Sequence, residues 1–124
     1  MRAKLRCIVA LTGLVGTLSA AADDTPVDIK TDLEGQYFLV EKGGTTTAPT
    51  LLVKRVASYG THYVERQFDC EAKTERYLGE GDSIKAVAAS EPETEATAIN
   101  AGSIADQLLQ YVCPPPPSPV AADK

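Results

Sequence analysis

Apolar and polar residues alternate in short segments along the middle of the chain, which is the pattern of half-buried β-strands. Each segment is separated from the next by a few residues rich in glycine, serine or threonine. Short connections of this kind favour antiparallel hairpins over parallel crossovers. The pattern predicts five strands, at residues 35–41, 51–56, 62–70, 75–78 and 83–89.

The predicted third strand shows how alternation assigns side chains to the two faces of a sheet. One face carries His62, Val64, Arg66, Phe68 and Cys70. The other face carries Tyr63, Glu65, Gln67 and Asp69. Phe68 and Cys70 share a face, and we expect that face to point toward the core.

One helix is predicted at residues 102–113, where apolar residues recur at helical spacing. These residues are Ile104, Leu108 and Val112. Ser103 is a suitable N-cap, and the carboxylate of Asp106 favours the positive end of the helix dipole. Pro114 cannot continue a helix, so Cys113 lies in the predicted last turn. The predicted fold is therefore α+β, a small antiparallel meander with one C-terminal helix packed on one face.

The first part of the chain has the composition of a secretory signal peptide rather than of a folded domain. Basic residues at positions 2, 4 and 6 precede an apolar run at residues 7–18, and small residues then allow cleavage after Ala21 or Ala22. The alternative is a membrane anchor, but the apolar run is shorter than the roughly 20 residues that a membrane span requires. We expect residues 1–22 to be removed on export to a bacterial periplasm or to the cell surface.

The rest of the chain divides into a leader, one domain and a tail. Residues 23–34 are polar and acidic and are predicted to be a flexible leader. Residues 35–113 contain the predicted strands and helix and form a single domain. Residues 114–124 begin with four prolines and are predicted to be an unpacked tail of polyproline type.

Charge limits the classes of partner. The formal net charge is −5, and cleavage after the signal peptide removes three of the 12 basic residues and none of the 17 acidic ones. Nine basic against 17 acidic residues then give a net charge of about −8. This balance disfavours general binding of nucleic acid, which requires a basic surface.

Two cysteines, Cys70 and Cys113, remain after cleavage. In an exported chain of this size they are expected to form a disulfide. The alternatives are a reactive nucleophile, which requires a neighbouring histidine, or a pair of metal ligands, which is half of a zinc site. A disulfide across a loop of about 43 residues would stabilise the fold by roughly 4 kcal/mol.

Residues able to carry out catalysis or to bind a cofactor or a metal are few. His62 is the single histidine, and its place at the start of a strand is typical of a surface residue. The segment 79–83 contains two carboxylates, too few for the six to eight oxygens of a calcium site. The tyrosines Tyr59, Tyr63, Tyr77 and Tyr111 form either an aromatic binding patch or, as we favour, part of the packing. We therefore predict that the protein is not an enzyme and uses no cofactor.

Several short motifs resemble the C-terminal half of the surface-adhesin protein E family. They are Phe68-Asp69-Cys70, Arg76-Tyr77-Leu78, Gly81-Asp82-Ser83, Gly102-Ser103-Ile104-Ala105 and Tyr111-Val112-Cys113. The resemblance covers about residues 59–113 and implies an antiparallel sheet, a C-terminal helix, a paired set of cysteines and binding of host matrix proteins. Family members usually contain tryptophan, whereas this chain has none.

The first functional hypothesis is an exported, non-catalytic binding protein with an adhesin E-like fold and a protein partner from the host matrix or the bacterial envelope. The possible partner contacts are Lys54, Arg55, Tyr59 and Tyr63. Alternation places Lys54 and Arg55 on opposite faces of the sheet. The alternative hypothesis is a periplasmic inhibitor or immunity protein that blocks a secreted enzyme.

Overall fold

The computed structural model describes residues 24–115, which form an antiparallel sheet with two short helices packed on it. The strands are β1 (Thr25–Val27), β2 (Gln36–Gly44), β3 (Pro49–Ala57), β4 (Gly60–Asp69), β5 (Thr74–Gly81) and β6 (Thr97–Ala98). Helix α1 (Ile84–Ala89) lies between β5 and β6, and helix α2 (Ile104–Leu109) follows β6. The strands are adjacent in the sheet in the order of the chain. The predicted α+β meander is therefore confirmed, with two helices where one was expected.

The hairpin between β3 and β4 is the tightest connection in the sheet. Ala57 is paired with Gly60, so only Ser58 and Tyr59 form the turn. Gly60 has a φ of 142°, a backbone conformation that glycine adopts readily and other residues rarely do. The turn therefore holds Tyr59 at one end of the sheet.

The two faces of the sheet differ in what covers them. We call the face on which α2 packs the α2 face, and its core consists of Val27, Ile29, Tyr37, Leu39, Leu51, Val53, Phe68, Ala105, Leu108 and Leu109. Phe68 and Arg66 are buried there, which confirms the predicted division of the third strand. The opposite face, called the α1 face, carries the cross-strand pair Lys54 and Tyr63.

Helix α2 begins as predicted. Ser103 is the N-cap, and its hydroxyl accepts a hydrogen bond of 3.1 Å from the backbone N–H of Asp106. The carboxylate of Asp106 in turn accepts a hydrogen bond of 2.8 Å from the N–H of Gly102. These reciprocal bonds satisfy N–H groups that have no partner inside the helix.

The same helix ends earlier than predicted. Helical residues stop at Leu109, and tighter turns continue to Cys113, with the N–H of Tyr111 donating to the carbonyl of Leu108. Pro114 disfavours helical geometry at Cys113, the residue before it, which limits the helix but does not account for its end at Leu109. The predicted helix at 102–113 is thus a six-residue helix followed by a turn.

Cys70 and Cys113 form the predicted disulfide, with their Cα atoms 5.6 Å apart. The bond joins the residue after β4 to the turn after α2. An isolated helix of six residues is unstable in water, because helix formation requires a costly first turn. Packing of its apolar side chains and the disulfide therefore hold α2 on the sheet.

The predicted fifth strand at 83–89 is wrong, because this segment forms α1. Ser83 is its N-cap, and the Ser83 hydroxyl accepts a hydrogen bond of 3.0 Å from the N–H of Ala86. The segment is rich in alanine, the strongest helix former, and Val87 is its buried residue. Gly79 and Gly81 of β5 leave room for the helix, since a Cβ on Gly79 would lie 2.2 Å from the carbonyl oxygen of Val87. Strand β6 pairs with β5 instead.

The prediction of a flexible leader at 23–34 is wrong for much of that segment. Strand β1 pairs with β2, and Val27 and Ile29 are buried in the core. The side-chain oxygen of Gln107 also accepts a hydrogen bond of 2.6 Å from the N–H of Lys30, which ties the segment to α2. Long-range contacts therefore order a stretch whose local composition is polar.

The predicted signal peptide at residues 1–22 and most of the predicted tail lie outside the described residues. Of that tail, Pro114 and Pro115 are described and are exposed. Neither helix within residues 24–115 has the length and apolar character that a membrane crossing requires.

Candidate binding site

The site is built around Arg55, near the end of β3 on the α2 face. Its guanidinium donates to the carboxylate of Asp32 through Nε at 2.6 Å and through Nη2 at 3.1 Å. The hydroxyl of Tyr37 donates to the same carboxylate at 2.6 Å. These interactions hold Arg55 in one orientation, because a bidentate arginine–carboxylate pair fixes both side chains.

The Asp32 carboxylate determines the electrostatics around Arg55. Hydrogen bonds from Arg55 and Tyr37 hold the pKa of Asp32 well below its usual range. Burial, together with the bond to Asp32, raises the pKa of Tyr37 to about 12. At neutral pH the pair is therefore an ionised carboxylate and a guanidinium, with a neutral phenol beside them.

Tyr59 completes the group at the end of the β3–β4 hairpin. Its hydroxyl accepts a hydrogen bond of 2.5 Å from Nη1 of Arg55, and the guanidinium carbon lies 5.6 Å from the centre of its ring. The side chain is nevertheless 78% exposed, and Leu33, next to Asp32, is 92% exposed. We call Asp32, Leu33, Arg55 and Tyr59 the Arg55 corner.

A cleft with a volume of about 190 Å³ lies beside the Arg55 corner on the α2 face. Val53 and Val64, which are cross-strand partners, line it together with Ile104 of α2. Arg55 and Arg66 also line it. The cleft therefore combines an apolar wall with two guanidinium groups.

Arg66 is the most buried charged residue of the cleft, with 6% of its surface exposed. Its Nε donates to the carboxylate of Glu75 at 3.0 Å, and its Nη2 donates to the hydroxyl of Tyr77 at 3.2 Å. The guanidinium also lies over the ring of Tyr77, 4.9 Å from its centre. A buried charge requires such partners, because desolvation is otherwise unfavourable.

His62 is the partner of Arg55 across the β3–β4 hairpin. Its Nε2 lies 3.1 Å from a carboxylate oxygen of Glu80, and about half of each side chain is exposed. Its exposure agrees with the surface role predicted from its position. Within residues 24–115 no group of three or more His, Cys, Asp or Glu side chains is arranged to hold a metal ion.

The four predicted contact residues fall into two pairs on opposite faces. Arg55 and Tyr59 belong to the Arg55 corner, whereas Lys54 and Tyr63 lie on the α1 face. Nζ of Lys54 is 2.5 Å from the carboxylate of Asp24, and this hydrogen bond raises the pKa of Lys54. Lys54 also lies over the ring of Phe38, 5.1 Å from its centre. The predicted opposite orientation of Lys54 and Arg55 is confirmed.

The four tyrosines considered as an aromatic patch do not share one environment. Tyr63, Tyr77 and Tyr111 are partly buried, in agreement with a packing role, and Tyr59 is exposed. The sequence interpretation missed Asp32 and Leu33, which lie in the segment predicted to be a flexible leader. No local signal identifies Asp32, because its partner Arg55 is 23 residues away in sequence.

Replacement of Asp32 by asparagine is expected to lower the free energy of unfolding at pH 7. It should also make that free energy depend less on pH in acid. The pKa of Asp32 is lower in the folded state than the value of about 3.9 in the unfolded state. The ionised carboxylate therefore contributes to folding stability at pH values above the unfolded pKa. The contribution is lost as the pH falls through the folded pKa. Urea unfolding between pH 2 and 7 measures the free energy of unfolding of the variant and of the unaltered protein.

Asp28→Asn, in an exposed pair with Lys30, is the matched control, with an expected change within about 1 kcal/mol. An unchanged pH profile in Asp32→Asn would contradict the prediction.

Comparison with known proteins identifies no relative of this chain. The chain matches no protein-family model, no curated protein and no solved structure.

Proposed function

We propose that the protein is an exported, non-catalytic binding protein that recognises a protein partner through the Arg55 corner. The observation that carries this proposal is the state of Tyr59, which is 78% exposed and is also fixed by a hydrogen bond from Arg55. The side chain contributes little to the core, yet the structure orders it. Such an ordered, exposed aromatic residue is suited to contact with another molecule.

The interactions of Arg55 support recognition of a protein. Tyrosine and arginine are enriched among the residues that contribute most to protein–protein binding. Immobilising a flexible side chain on binding costs about 0.5–1.5 kcal/mol, and a side chain already held in place avoids much of this cost. Arg55 is held by Asp32, and Tyr59 is held by Arg55.

The apolar surface next to Arg55 indicates the chemistry of the partner surface. Leu33 and Tyr59 have the largest exposed fractions among the large hydrophobic side chains of the described residues. Gly35 packs directly against Arg55, since a Cβ at Gly35 would lie 2.5 Å from Arg55 Nε. The partner is therefore a protein with an apolar depression for Tyr59 and Leu33 and a hydrogen-bond acceptor facing Arg55. A host matrix or envelope protein is the class of partner that the resemblance to the adhesin family implies.

The experiment compares partner capture by the oxidised protein and by two alanine variants. Envelope extracts and purified host matrix proteins are passed over the immobilised chain, and the affinity of each captured protein is then measured. Tyr59→Ala is expected to weaken binding at least tenfold, as for a central interface residue. Ile84→Ala is the matched control, because Ile84 is 53% exposed on α1, away from the corner. Failure to capture any protein, or equal binding by both variants, would contradict the proposal.

The inhibitor or immunity function stays a prediction of the sequence. The same capture experiment, carried out with secreted bacterial proteins, separates it from adhesion, because its partner would be a secreted enzyme. Loss of that enzyme's activity on binding would then assign the inhibitor function.

A further inference from the structure

We infer that the cleft beside the Arg55 corner binds a small organic monocarboxylate, with its carboxylate on Arg66 and its aliphatic part against Val53 and Val64. This site is next to the surface that we propose for the protein partner and shares Arg55 with it. It lies at the start of α2, because Ile104, the first residue of that helix, lines it together with residues of β3, β4 and β5.

The first argument is the hydrogen bonding of Arg66. Nε and Nη2 have partners in Glu75 and Tyr77, whereas Nη1 has no hydrogen-bond acceptor among residues 24–115. Only 6% of the Arg66 surface is exposed, so an unpaired N–H group there is unfavourable. A carboxylate oxygen is a strong acceptor for the remaining N–H groups of the guanidinium, because hydrogen bonds between charged groups are the stronger ones.

The second argument is the size and the apolar character of the cleft. Val53 and Val64 lie opposite each other on neighbouring strands, and Ile104 adds a third aliphatic side chain. A volume of about 190 Å³ is below the roughly 300–1,000 Å³ of pockets for drug-sized ligands, so a small ligand is expected. A short-chain carboxylate such as butyrate has a suitable size and a matching aliphatic chain.

The third argument is charge, which limits the ligand to at most one negative charge. Arg55 is neutralised by Asp32, and Arg66 is already paired with Glu75. Glu80 also lines the cleft, next to His62. A second carboxylate or a phosphate would be repelled by these acidic groups, because like charges at short distance are unfavourable.

The test is a titration of the isotope-labelled, oxidised protein with sodium butyrate at constant ionic strength. Amide chemical shifts are measured at each step of the titration. Saturable shifts at His62, Val64, Arg66 and Tyr77 are expected. Butan-1-ol has the same aliphatic chain without the carboxylate and is expected to bind at least tenfold more weakly. Shifts equal to those caused by sodium chloride, or confined to residues outside the cleft, would overturn the proposal.

Two variants test the same site in different ways. Val64→Phe fills the cleft without changing a charged group, and it is expected to abolish saturable butyrate binding. Val56→Phe is its matched control, since Val56 lies on the α1 face, and it should bind butyrate as the unaltered protein does. Arg66→Lys keeps the charge but loses the planar donor group, and a loss of at least tenfold in affinity is expected. Unchanged binding in Val64→Phe would overturn the proposal even if Arg66→Lys failed to fold.

Discussion

Replacement of Cys70 and Cys113 by alanine is expected to lower the free energy of unfolding by about 4 kcal/mol. The disulfide closes a loop with a sequence separation of 43 residues, and the chain-entropy relation gives this magnitude for such a loop. A domain of ordinary stability has about 5–15 kcal/mol in total. The double variant is therefore expected to be marginally stable, which urea unfolding followed by far-ultraviolet circular dichroism measures directly.

The effect should be largest near α2, because this helix has only six residues and depends on tertiary contacts. Hydrogen exchange at the N–H of Cys113, which donates to the carbonyl of Leu109 at 2.8 Å, reports on this region. Reduction and alkylation of the unaltered protein is the control for changes in packing caused by the substitutions. It should lower the free energy of unfolding by a similar amount. A double variant within about 1 kcal/mol of the oxidised protein would contradict the expectation.

The central part of the fold was predictable because its signals are local. Alternation of apolar and polar residues identified the segments of β2 to β5, and short turns indicated antiparallel pairing. The cap at Ser103 was visible as a serine before an apolar stripe. The cysteine count was sufficient to predict the pair Cys70 and Cys113.

The errors concern segments in which local and long-range signals disagree. Residues 83–89 contain Ile84 and Val87, which fit either a short strand or one turn of a helix, and the Ser83 cap together with the alanines decides for a helix. The packing of α1 on β5 then requires glycine at positions such as Gly79, where the backbone of Val87 approaches closely. Hydrophobic periodicity does not reveal this contact. Strand β1 is similar, because pairing with β2 orders it.

The candidate site was predictable only in part. Arg55 and Tyr59 were among the possible partner contacts, although packing was favoured for the tyrosines, and the structure brings the two side chains together. Their anchor, Asp32, comes from a segment with no apolar periodicity. The cleft was not predicted, since alternation puts Arg66 on the same face as Phe68 without indicating that its charge is paired with Glu75 on the next strand.

Replacement of Glu75 by alanine is expected to lower the free energy of unfolding by about 3 kcal/mol, because it leaves the buried charge of Arg66 without its carboxylate partner. Urea unfolding at pH 7 measures the change, and Glu91→Ala, at an exposed position, is the control. The double variant Arg66→Met and Glu75→Leu removes both charges, and most of the lost stability should return, since apolar residues of similar size can replace a buried ion pair. A Glu75→Ala protein as stable as Glu91→Ala would show that water, rather than Glu75, compensates the charge of Arg66.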